Sequence, residues 1–223
     1  MNALYFMTIV ELSSMNSDKY LSIIKHYEEC LLKYGDTHKG VDWPNADDAI
    51  KRYQVMFELI REDSDKPLTI LDFGCGASHF YEYLLPLNRN NLSYVGLEIS
   101  EDFYNLSKSK FKKNTYIFGD ILKNPEIIPF IDYVIFNGVF TEKRDLTFDE
   151  MEDYFHEVLN IVFKKVNNGI SFNLMSKSVD WERDDLFHYP LDRLSNFLCK
   201  SISRNFVIRN DYGLYEYTTY VYK

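Results

Sequence analysis

The chain has 223 residues and a formal net charge of −9 at pH 7, and 46% of its residues are hydrophobic. That length fits one large domain with a substantial core. An acidic surface repels phosphate backbones, so we expect no nucleic-acid partner. Three widely spaced cysteines and five scattered histidines fit neither a disulfide framework nor a structural zinc site. No apolar run reaches the roughly 20 residues that cross a bilayer. The sequence therefore predicts a cytoplasmic protein with free thiols, no bound metal and no membrane contact.

Two amphipathic helices are predicted before the first strand. The first covers residues 17–34, and Gly35 is a residue type that commonly ends a helix. The second begins at Asn45, which serves as its N-cap, and runs to Ile60. The predicted organisation is a single domain, with a loose extension at 1–14, a helical cap at 15–62 outside the repeating core, and an α/β core at 68–223.

Strand and helix signals alternate from residue 69 onward, which is typical of a parallel sheet covered by helices. Thr147 and Glu150 form a capping box before the clearest helix, and Gly169 is predicted to break the chain after it. Two strand-like stretches near the C-terminus are so close that they must pair antiparallel. The predicted fold is α/β, a doubly wound seven-stranded sheet, mostly parallel with a C-terminal antiparallel hairpin. The strands are predicted at 69–73, 92–97, 115–118, 132–136, 170–175, 206–210 and 215–222.

The first predicted strand ends in a glycine-rich turn, Asp72-Phe-Gly-Cys-Gly76. Glycines let backbone N–H groups approach a ligand closely, and the helix that follows favours negative charge at its N-terminus. The third glycine of the dinucleotide fingerprint is replaced by His79. Asp-x-Gly-x-Gly after an apolar strand resembles motif I of the class I S-adenosylmethionine (SAM) methyltransferases. This resemblance implies that Asp72, Gly74, Cys75 and Gly76 bind SAM, whose product is S-adenosylhomocysteine.

Polar residues also follow the next predicted strands, at the sheet edge where open parallel sheets bind ligands. Glu98 lies about 20 residues after the glycines and is placed to accept both ribose hydroxyls of either NAD or SAM. The resemblance implies that Asp120 contacts the adenine amino group and that Ile121 packs on the ring. Asn137 and Gly138 complete the predicted cofactor site, although each of these residue types is also common in turns.

Longer stretches resemble a narrower bacterial group of methyltransferases whose genes often lie in surface-polysaccharide clusters. The resemblance implies a small, sugar-related acceptor. It also implies that Arg52 clamps the methionyl carboxylate of SAM and that Trp43 closes over the cofactor. The alternatives are that Arg52 pairs with Asp48 on an exposed helix face and that Trp43 anchors the cap to the core. Ser78 stands where this group usually has glycine. The matching stretches are Tyr34-Gly-Asp-Thr37, Gly40-Val-Asp-Trp43, Arg52-Tyr53, Asn137-Gly-Val-Phe140, Ser171-Phe-Asn-Leu174, Phe187-His-Tyr-Pro190 and Asp211-Tyr-Gly-Leu-Tyr-Glu-Tyr217.

Methyl transfer to a hydroxyl benefits from a general base, and His188 is the first candidate. Tyr189 and Asp211 are expected to line the same pocket, and Phe140 and Thr141 to touch the acceptor. The sequence thus predicts a SAM-dependent methyltransferase that acts on an oxygen of a sugar or surface-polysaccharide precursor. Two alternatives stay open. One is a nicotinamide-dependent oxidoreductase, and the other is a SAM-binding module without catalysis.

Overall fold

The computed structural model describes residues 18–61 and 66–223, so the predicted N-terminal extension lies outside the described residues. One seven-stranded sheet has the strand order β3-β2-β1-β4-β5-β7-β6. The first five strands run parallel, and β7 pairs antiparallel with both β5 and β6. The predicted fold class and C-terminal hairpin are confirmed. The strands are β1 (Leu68–Phe73), β2 (Leu92–Glu98), β3 (Thr115–Phe118), β4 (Ile131–Phe136), β5 (Val166–Met175), β6 (Phe206–Arg209) and β7 (Glu216–Tyr222).

The helices begin where the sequence places their capping residues. The Asn45 side chain accepts hydrogen bonds from two backbone N–H groups of the first turn, and Thr147 with Glu150 forms a complete capping box. None of the helices in the described ranges is long and apolar enough to span a membrane. The α-helices are α1 (Leu21–Tyr34), α2 (Ala46–Phe57), α3 (His79–Leu84), α4 (Glu101–Lys110), α5 (Phe148–Phe163) and α6 (Leu191–Phe197); a 3-10 turn (His38–Val41) joins α1 to the segment before α2.

Helix α2 packs directly on the sheet, so the prediction that it lies in a cap outside the core is corrected. Met56 and Ile70 belong to the same buried cluster, which covers one face of the sheet. The hydroxyl of Ser171 on β5 donates to the Met56 carbonyl at 3.3 Å, and the Tyr220 hydroxyl on β7 donates to the Val55 carbonyl at 2.5 Å. The apolar face of α2 therefore forms part of the layer that covers the central strands.

Gly169 lies inside β5 and does not break the chain after α5, as the sequence had suggested. A Cβ atom at this position would come within 2.9 Å of the Val221 carbonyl oxygen on β7. The glycine thus permits a close approach of neighbouring strands, which is a common reason for glycine within a strand. Strand β5 begins at Val166, immediately after the helix ends.

The strand order creates a topological switch between β1 and β4. The chain leaves β1 toward β2 and β3 on one side, then returns to form β4 and β5 on the other. Because the connections after β1 and β4 diverge, a crevice opens at the carboxyl ends of these strands. The sequence motif at Asp72 and the pair Asn137-Gly138 both lie at this edge.

Candidate functional site

A cleft opens at the carboxyl ends of β1, β2 and β4, and we call it the strand-end cleft. It encloses about 870 Å³ outside the protein atoms, counting the solvent at its mouth. Most of the residues that the sequence predicted to bind a cofactor line this space. They are Trp43, Asp72, Gly74, Cys75, Gly76, Glu98, Asn137 and Gly138.

The turn after β1 requires its glycines. Gly74 and Gly76 have φ values of +67° and +51°, a region that side chains seldom adopt. A Cβ atom at Gly74 would lie 3.0 Å from Cγ2 of Val139. Ser78 also has a positive φ of +58°, and its buried hydroxyl donates to Oγ of Ser107 at 2.8 Å. This bond satisfies the hydroxyl at the position where the resembling group usually has glycine.

Glu98 holds the glycine turn in place. Its Oε2 atom accepts a hydrogen bond from the Gly76 N–H at 2.8 Å, and Oε1 accepts from the N–H groups of Ile99 and Ser100 at 2.8 and 2.9 Å. Burial raises the pKa of the Glu98 carboxyl, while these three N–H groups lower it. Since each carboxylate oxygen accepts about two hydrogen bonds, Oε2 keeps one acceptor site for a ligand.

Asp72 is a buried carboxyl that titrates near neutral pH. The Tyr94 hydroxyl donates to its Oδ2 atom at 2.7 Å. Burial raises the pKa of Asp72 to about 7, and the Glu98 charge adds to this effect, whereas the Tyr94 hydrogen bond opposes it. A cation bound in the strand-end cleft would favour the ionised carboxylate.

Asn137 lines the strand-end cleft and carries an unused acceptor. Its Oδ1 atom is buried and has no hydrogen-bond partner among the residues that the structure describes. A buried polar atom without a partner costs about 1–3 kcal/mol, and a bound N–H donor would remove that cost. The residue therefore fits the ammonium group of an amino-acid ligand, and Asp72 lines the same cleft.

Gly138, the next residue, is covered by Trp43. Its φ is +82°, and a Cβ atom there would lie 2.8 Å from Cζ2 of the Trp43 ring. The Gly138 N–H donates to Oδ1 of Asn173 at 2.8 Å, and its carbonyl accepts from the Thr141 hydroxyl at 2.9 Å. Close packing and hydrogen bonds on both sides thus fix this part of the cleft wall.

Asp120 and Ile121 do not line the strand-end cleft, so their predicted contacts with adenine are corrected. Oδ2 of Asp120 accepts a hydrogen bond from the Tyr20 hydroxyl, which covers it. Ile121 is buried in the hydrophobic core on the α5 side of the sheet. The prediction failed here because the sequence does not show that Tyr20, the residue before α1, reaches Asp120 across the fold.

Arg52 faces a second cleft and not the first, which corrects its predicted place in the cofactor site. Its Nε donates to both carboxylate oxygens of Glu216, at 3.0 and 2.9 Å. Its guanidinium lies 4.1 Å from the centroid of the Trp43 ring, a cation–π contact. Trp43 lines both clefts and forms a shared wall between them.

The second cleft, which we call the loop cleft, encloses about 1390 Å³ with the solvent at its mouth. Segments that are far apart in the sequence supply its walls. Trp181 and Tyr215 there are 73% and 68% exposed, which leaves their ring faces open to a ligand. Carboxylates outnumber guanidinium groups in its lining. The five carboxylates belong to Asp42, Asp48, Glu142, Asp180 and Glu216, and the two guanidinium groups belong to Arg52 and Arg183.

His188 lines the loop cleft, but both of its ring nitrogens are engaged. Nδ1 lies 2.6 Å from the Ser176 carbonyl oxygen, to which it donates, and Nε2 accepts from the Arg183 backbone N–H at 3.2 Å. The ring is only 5% exposed. No lone pair is free for proton transfer in this arrangement, which contradicts the prediction of a general base at His188.

Three of the four predicted acceptor contacts lie away from both clefts. Thr141 lines the loop cleft as expected. Phe140 is fully buried in the core, where its ring packs against Phe136 and Phe155. The buried Tyr189 donates to Glu152, and the exposed Asp211 pairs with Arg209. The placements predicted for Phe140, Tyr189 and Asp211 are therefore corrected.

Glu142 is a loop-cleft residue that the sequence did not reveal. It follows Thr141, is only 6% exposed, and pairs with Leu186 in an isolated antiparallel bridge. Its Oε2 atom accepts from Nη1 of Arg144 at 3.1 Å. Burial raises the pKa of the Glu142 carboxyl, and Arg144 lowers it. No motif marks this position, because only the folded loop brings Leu186 beside it.

Comparison with known proteins supports the same architecture. No family model matches this chain. A putative methyltransferase of Mycobacterium tuberculosis is 25% identical over 159 residues, which are 70% of this chain and 94% of that protein. An uncharacterized methyltransferase of Oceanobacillus iheyensis is 25% identical over 134 residues, which are 60% of each chain.

Solved structures of low identity share the fold over most of the chain. The magnesium protoporphyrin IX methyltransferase of Synechocystis has a TM-score of 0.62 and 13% identity, covering 91% of this chain and 99% of that one. A SAM-dependent methyltransferase of Leishmania major has a TM-score of 0.63 and 14% identity, with coverage of 92% and 83%. The chain has the class I SAM-dependent methyltransferase fold.

Proposed function

We propose that this chain is a SAM-dependent methyltransferase with a small-molecule acceptor. The observation that carries the proposal is the buried Oδ1 atom of Asn137, which has no hydrogen-bond partner among the described residues; Asn137 and Asp72 line the same cleft. An acceptor atom and a carboxylate on two residues that line one cleft suit the ammonium group of a bound amino-acid moiety. Both similar curated proteins are described as methyltransferases, which supports the same conclusion.

The chain's residues divide the task of holding the cofactor. Asp72 and Asn137 take the ammonium group, and the remaining acceptor site of Glu98 takes a ribose hydroxyl. Gly74 and Gly76 let the backbone approach closely. When bound, SAM supplies the electrophilic methyl carbon, so the protein has to orient the acceptor and receive its proton.

The loop cleft supports an uncharged, polyhydroxylated acceptor. Similar structures include methyltransferases named for magnesium protoporphyrin IX, N-acetylserotonin and plantazolicin, so the fold does not select the acceptor. Here, carboxylates outnumber guanidinium groups, which disfavours anionic substrates. The exposed rings of Trp181 and Tyr215 can stack on a sugar face, and carboxylates can accept its hydroxyl protons. We therefore favour O-methylation of a sugar, including a surface-polysaccharide precursor.

We assign to Glu142 the role of accepting the proton of the acceptor's hydroxyl group. It is the loop-cleft carboxylate that directly follows Thr141, whose hydroxyl contacts the Gly138 carbonyl at the wall between the clefts. Both oxygens of Glu216 are tied to Arg52 or Asn173, and Asp42 is tied to His26, whereas the Arg144 bond of Glu142 uses Oε2 and not Oε1. The buried Glu142 carboxylate thus replaces His188 as the general base in the proposed reaction.

Titration calorimetry with S-adenosylhomocysteine, with NADH in a parallel cell, tests the cofactor assignment. We expect binding of S-adenosylhomocysteine alone. Binding of NADH alone would establish the oxidoreductase alternative. Tight binding without SAM consumption across a pool of sugar acceptors would favour the non-catalytic module.

Two asparagine variants sharpen the assignment. Asn137→Ala removes the acceptor for the ammonium group, so we expect S-adenosylhomocysteine to bind about tenfold more weakly, or about 1.4 kcal/mol. Asn114→Ala is the matched control, because Nδ2 of Asn114 is also buried without a hydrogen-bond partner in the described part of the chain, and Asn114 does not line the strand-end cleft. Equal affinity in the two variants would refute the role of Asn137.

A further inference from the structure

Three side chains of different kinds converge where α1 meets the 3-10 turn. His26 and Cys30 lie four residues apart on α1 and therefore on the same helix face. Asp42 follows the turn and reaches back toward them. Nε2 of His26 lies 2.7 Å from Oδ2 of Asp42 and 3.8 Å from Sγ of Cys30, and the three ligand atoms all lie within 4.8 Å of one another.

Asp42 is held in position by its own backbone. Its φ is +57°, a left-handed conformation, and its N–H donates to the carbonyls of His38 and Lys39. The His38 side chain also stabilises the segment after the turn, because its Nδ1 atom donates a hydrogen bond to the Trp43 carbonyl at 2.6 Å. The carboxylate is thus presented to α1 by a turn with several internal hydrogen bonds.

A simple hydrogen bond between His26 and Asp42 does not account for the whole arrangement. Nε2 carries at most one proton, yet it faces both the Asp42 carboxylate and the Cys30 sulfur. A single cation between the three atoms would use every one of them as a ligand.

We propose that His26, Cys30 and Asp42 form a binding site for one divalent transition metal, with zinc as the best fit. Imidazole nitrogen, thiolate sulfur and carboxylate oxygen are its three usual ligands, at ~2.0–2.3 Å. Tetrahedral zinc therefore places ligand atoms ~3.3–3.7 Å apart. The Nε2–Sγ distance of 3.8 Å lies just above this range, and the Nε2–Oδ2 distance of 2.7 Å has to open by several tenths of an ångström.

The site is connected to both clefts without belonging to the cofactor residues. Asp42 lines the loop cleft, and its neighbour Trp43 forms the wall shared by the clefts. A metal bound here would join α1 to the turn that carries Trp43. The three protein ligands leave a fourth position for water or a ligand group. The assignment does not depend on the proposed methyltransferase activity.

Metal titration of the full-length, reduced and chelator-stripped protein tests the site. We expect one Zn²⁺ per chain in competition with a chromophoric chelator, with a dissociation constant below about 1 μM. Co²⁺ in place of zinc should give a thiolate-to-metal charge-transfer band in the near ultraviolet. Binding weaker than about 10 μM, or a stoichiometry other than one, would overturn the proposal.

Variants decide whether these residues are the ligands. Cys30→Ser should remove the charge-transfer band, and His26→Ala should weaken zinc binding by about a hundredfold. Cys199→Ser is the matched cysteine control. It should change neither the charge-transfer band nor the zinc affinity, since Cys199 lies outside the cluster. If Cys30→Ser does not fold, Asp42→Asn replaces it as the test. Asp42 lies at the partly exposed edge of the site, and this variant should weaken zinc binding. Retention of the band in folded Cys30→Ser would disprove the assignment.

S-adenosylhomocysteine titration of the same samples separates this proposal from the proposed function. The metal site fails if zinc does not bind while S-adenosylhomocysteine does. The cofactor assignment fails if zinc binds through Cys30 and S-adenosylhomocysteine does not bind.

Discussion

The two clefts are built in different ways, although they share Trp43. The strand-end cleft takes most of its walls from short segments directly after β1, β2 and β4, which the sheet holds in register. The loop cleft is assembled from segments that are far apart in the sequence, among them the turn before α2 and the loop after β5. A common cofactor suits the first construction, and a variable acceptor suits the second.

Their hydrogen bonds differ in the same way. In the strand-end cleft, Glu98 is fixed by backbone N–H groups that follow from its position in the chain. In the loop cleft, Arg52 bonds Glu216, and Glu216 accepts from Nδ2 of Asn173 at 3.1 Å. Asn173 in turn accepts from the Gly138 N–H, which connects the loop cleft to the strand-end cleft. The wall between the clefts is thus a continuous polar network.

Gly138→Ala should produce the largest change in cofactor affinity, because it displaces the shared wall. The added Cβ would lie 2.8 Å from the Trp43 ring, which is held by the Arg52 contact. We expect S-adenosylhomocysteine to bind about thirtyfold more weakly, equivalent to about 2 kcal/mol of overpacking. Titration calorimetry measures this.

Gly35→Ala is the matched control for that variant. Gly35 also has a positive φ, +63°, but apart from its chain neighbours no atom of the described residues lies within 4 Å of the added Cβ. With a ψ of −158° it lies in a region nearly restricted to glycine, so Gly35→Ala carries a backbone cost of about 1–3 kcal/mol without the clash. Equal losses of cofactor affinity in the two variants would show that the contact with Trp43 is unimportant and that the clefts are independent.

The pH dependence of cofactor affinity should be the next largest effect. With a pKa of about 7, most Asp72 carboxyls are ionised at pH 8 and few at pH 6. Since an ammonium group binds the ionised form, affinity for S-adenosylhomocysteine should fall about tenfold from pH 8 to pH 6. Below pH 7 binding should release about one proton, which calorimetry in buffers of different ionisation enthalpy detects.

Asp72→Asn supplies the control and a second readout. The variant should lose this pH dependence, and a slope that persists in it would assign the titration to another group. In the unbound wild type, the pKa of this carboxyl rises from its ordinary value of 3.8 in the unfolded chain to about 7 in the folded protein. The unfolded state therefore loses its proton first, so the free energy of unfolding should decrease as pH rises from about 4 to about 7. Asp72→Asn should abolish this decrease.

The sequence predicted the strand-end cleft far better than the loop cleft, and the reason is physical. Asp72 and Glu98 lie at the carboxyl ends of strands whose apolar pattern is visible, and Asn137 directly follows another; parallel strands bring these ends together. His188 was misread because its partners, the Ser176 carbonyl and the Arg183 N–H, are backbone groups of a folded loop.

The sequence also does not show which side chains near the site are buried in the core. Phe140 follows the Asn137-Gly138 pair and was expected at the acceptor, but the chain turns it into the aromatic core. His26 and Cys30 were overlooked because a search for pairs of identical metal ligands misses a mixed pair four residues apart. Asp42 joins them only through the left-handed turn, which no residue pattern marks.

Trp181→Ala should produce the smallest change in cofactor affinity, because Trp181 lines the loop cleft and not the strand-end cleft. Its exposed ring makes little contribution to packing, so S-adenosylhomocysteine affinity should stay within about twofold of wild type. The only other tryptophan, Trp43, lines both clefts, and Trp43→Ala should weaken the same ligand about tenfold. Both affinities come from the same titration. A clear loss in Trp181→Ala would mean that the cofactor extends beyond Trp43 into the loop cleft. The acceptor would then occupy less of that cleft than its volume suggests, and the division of the site into two clefts would have to be redrawn.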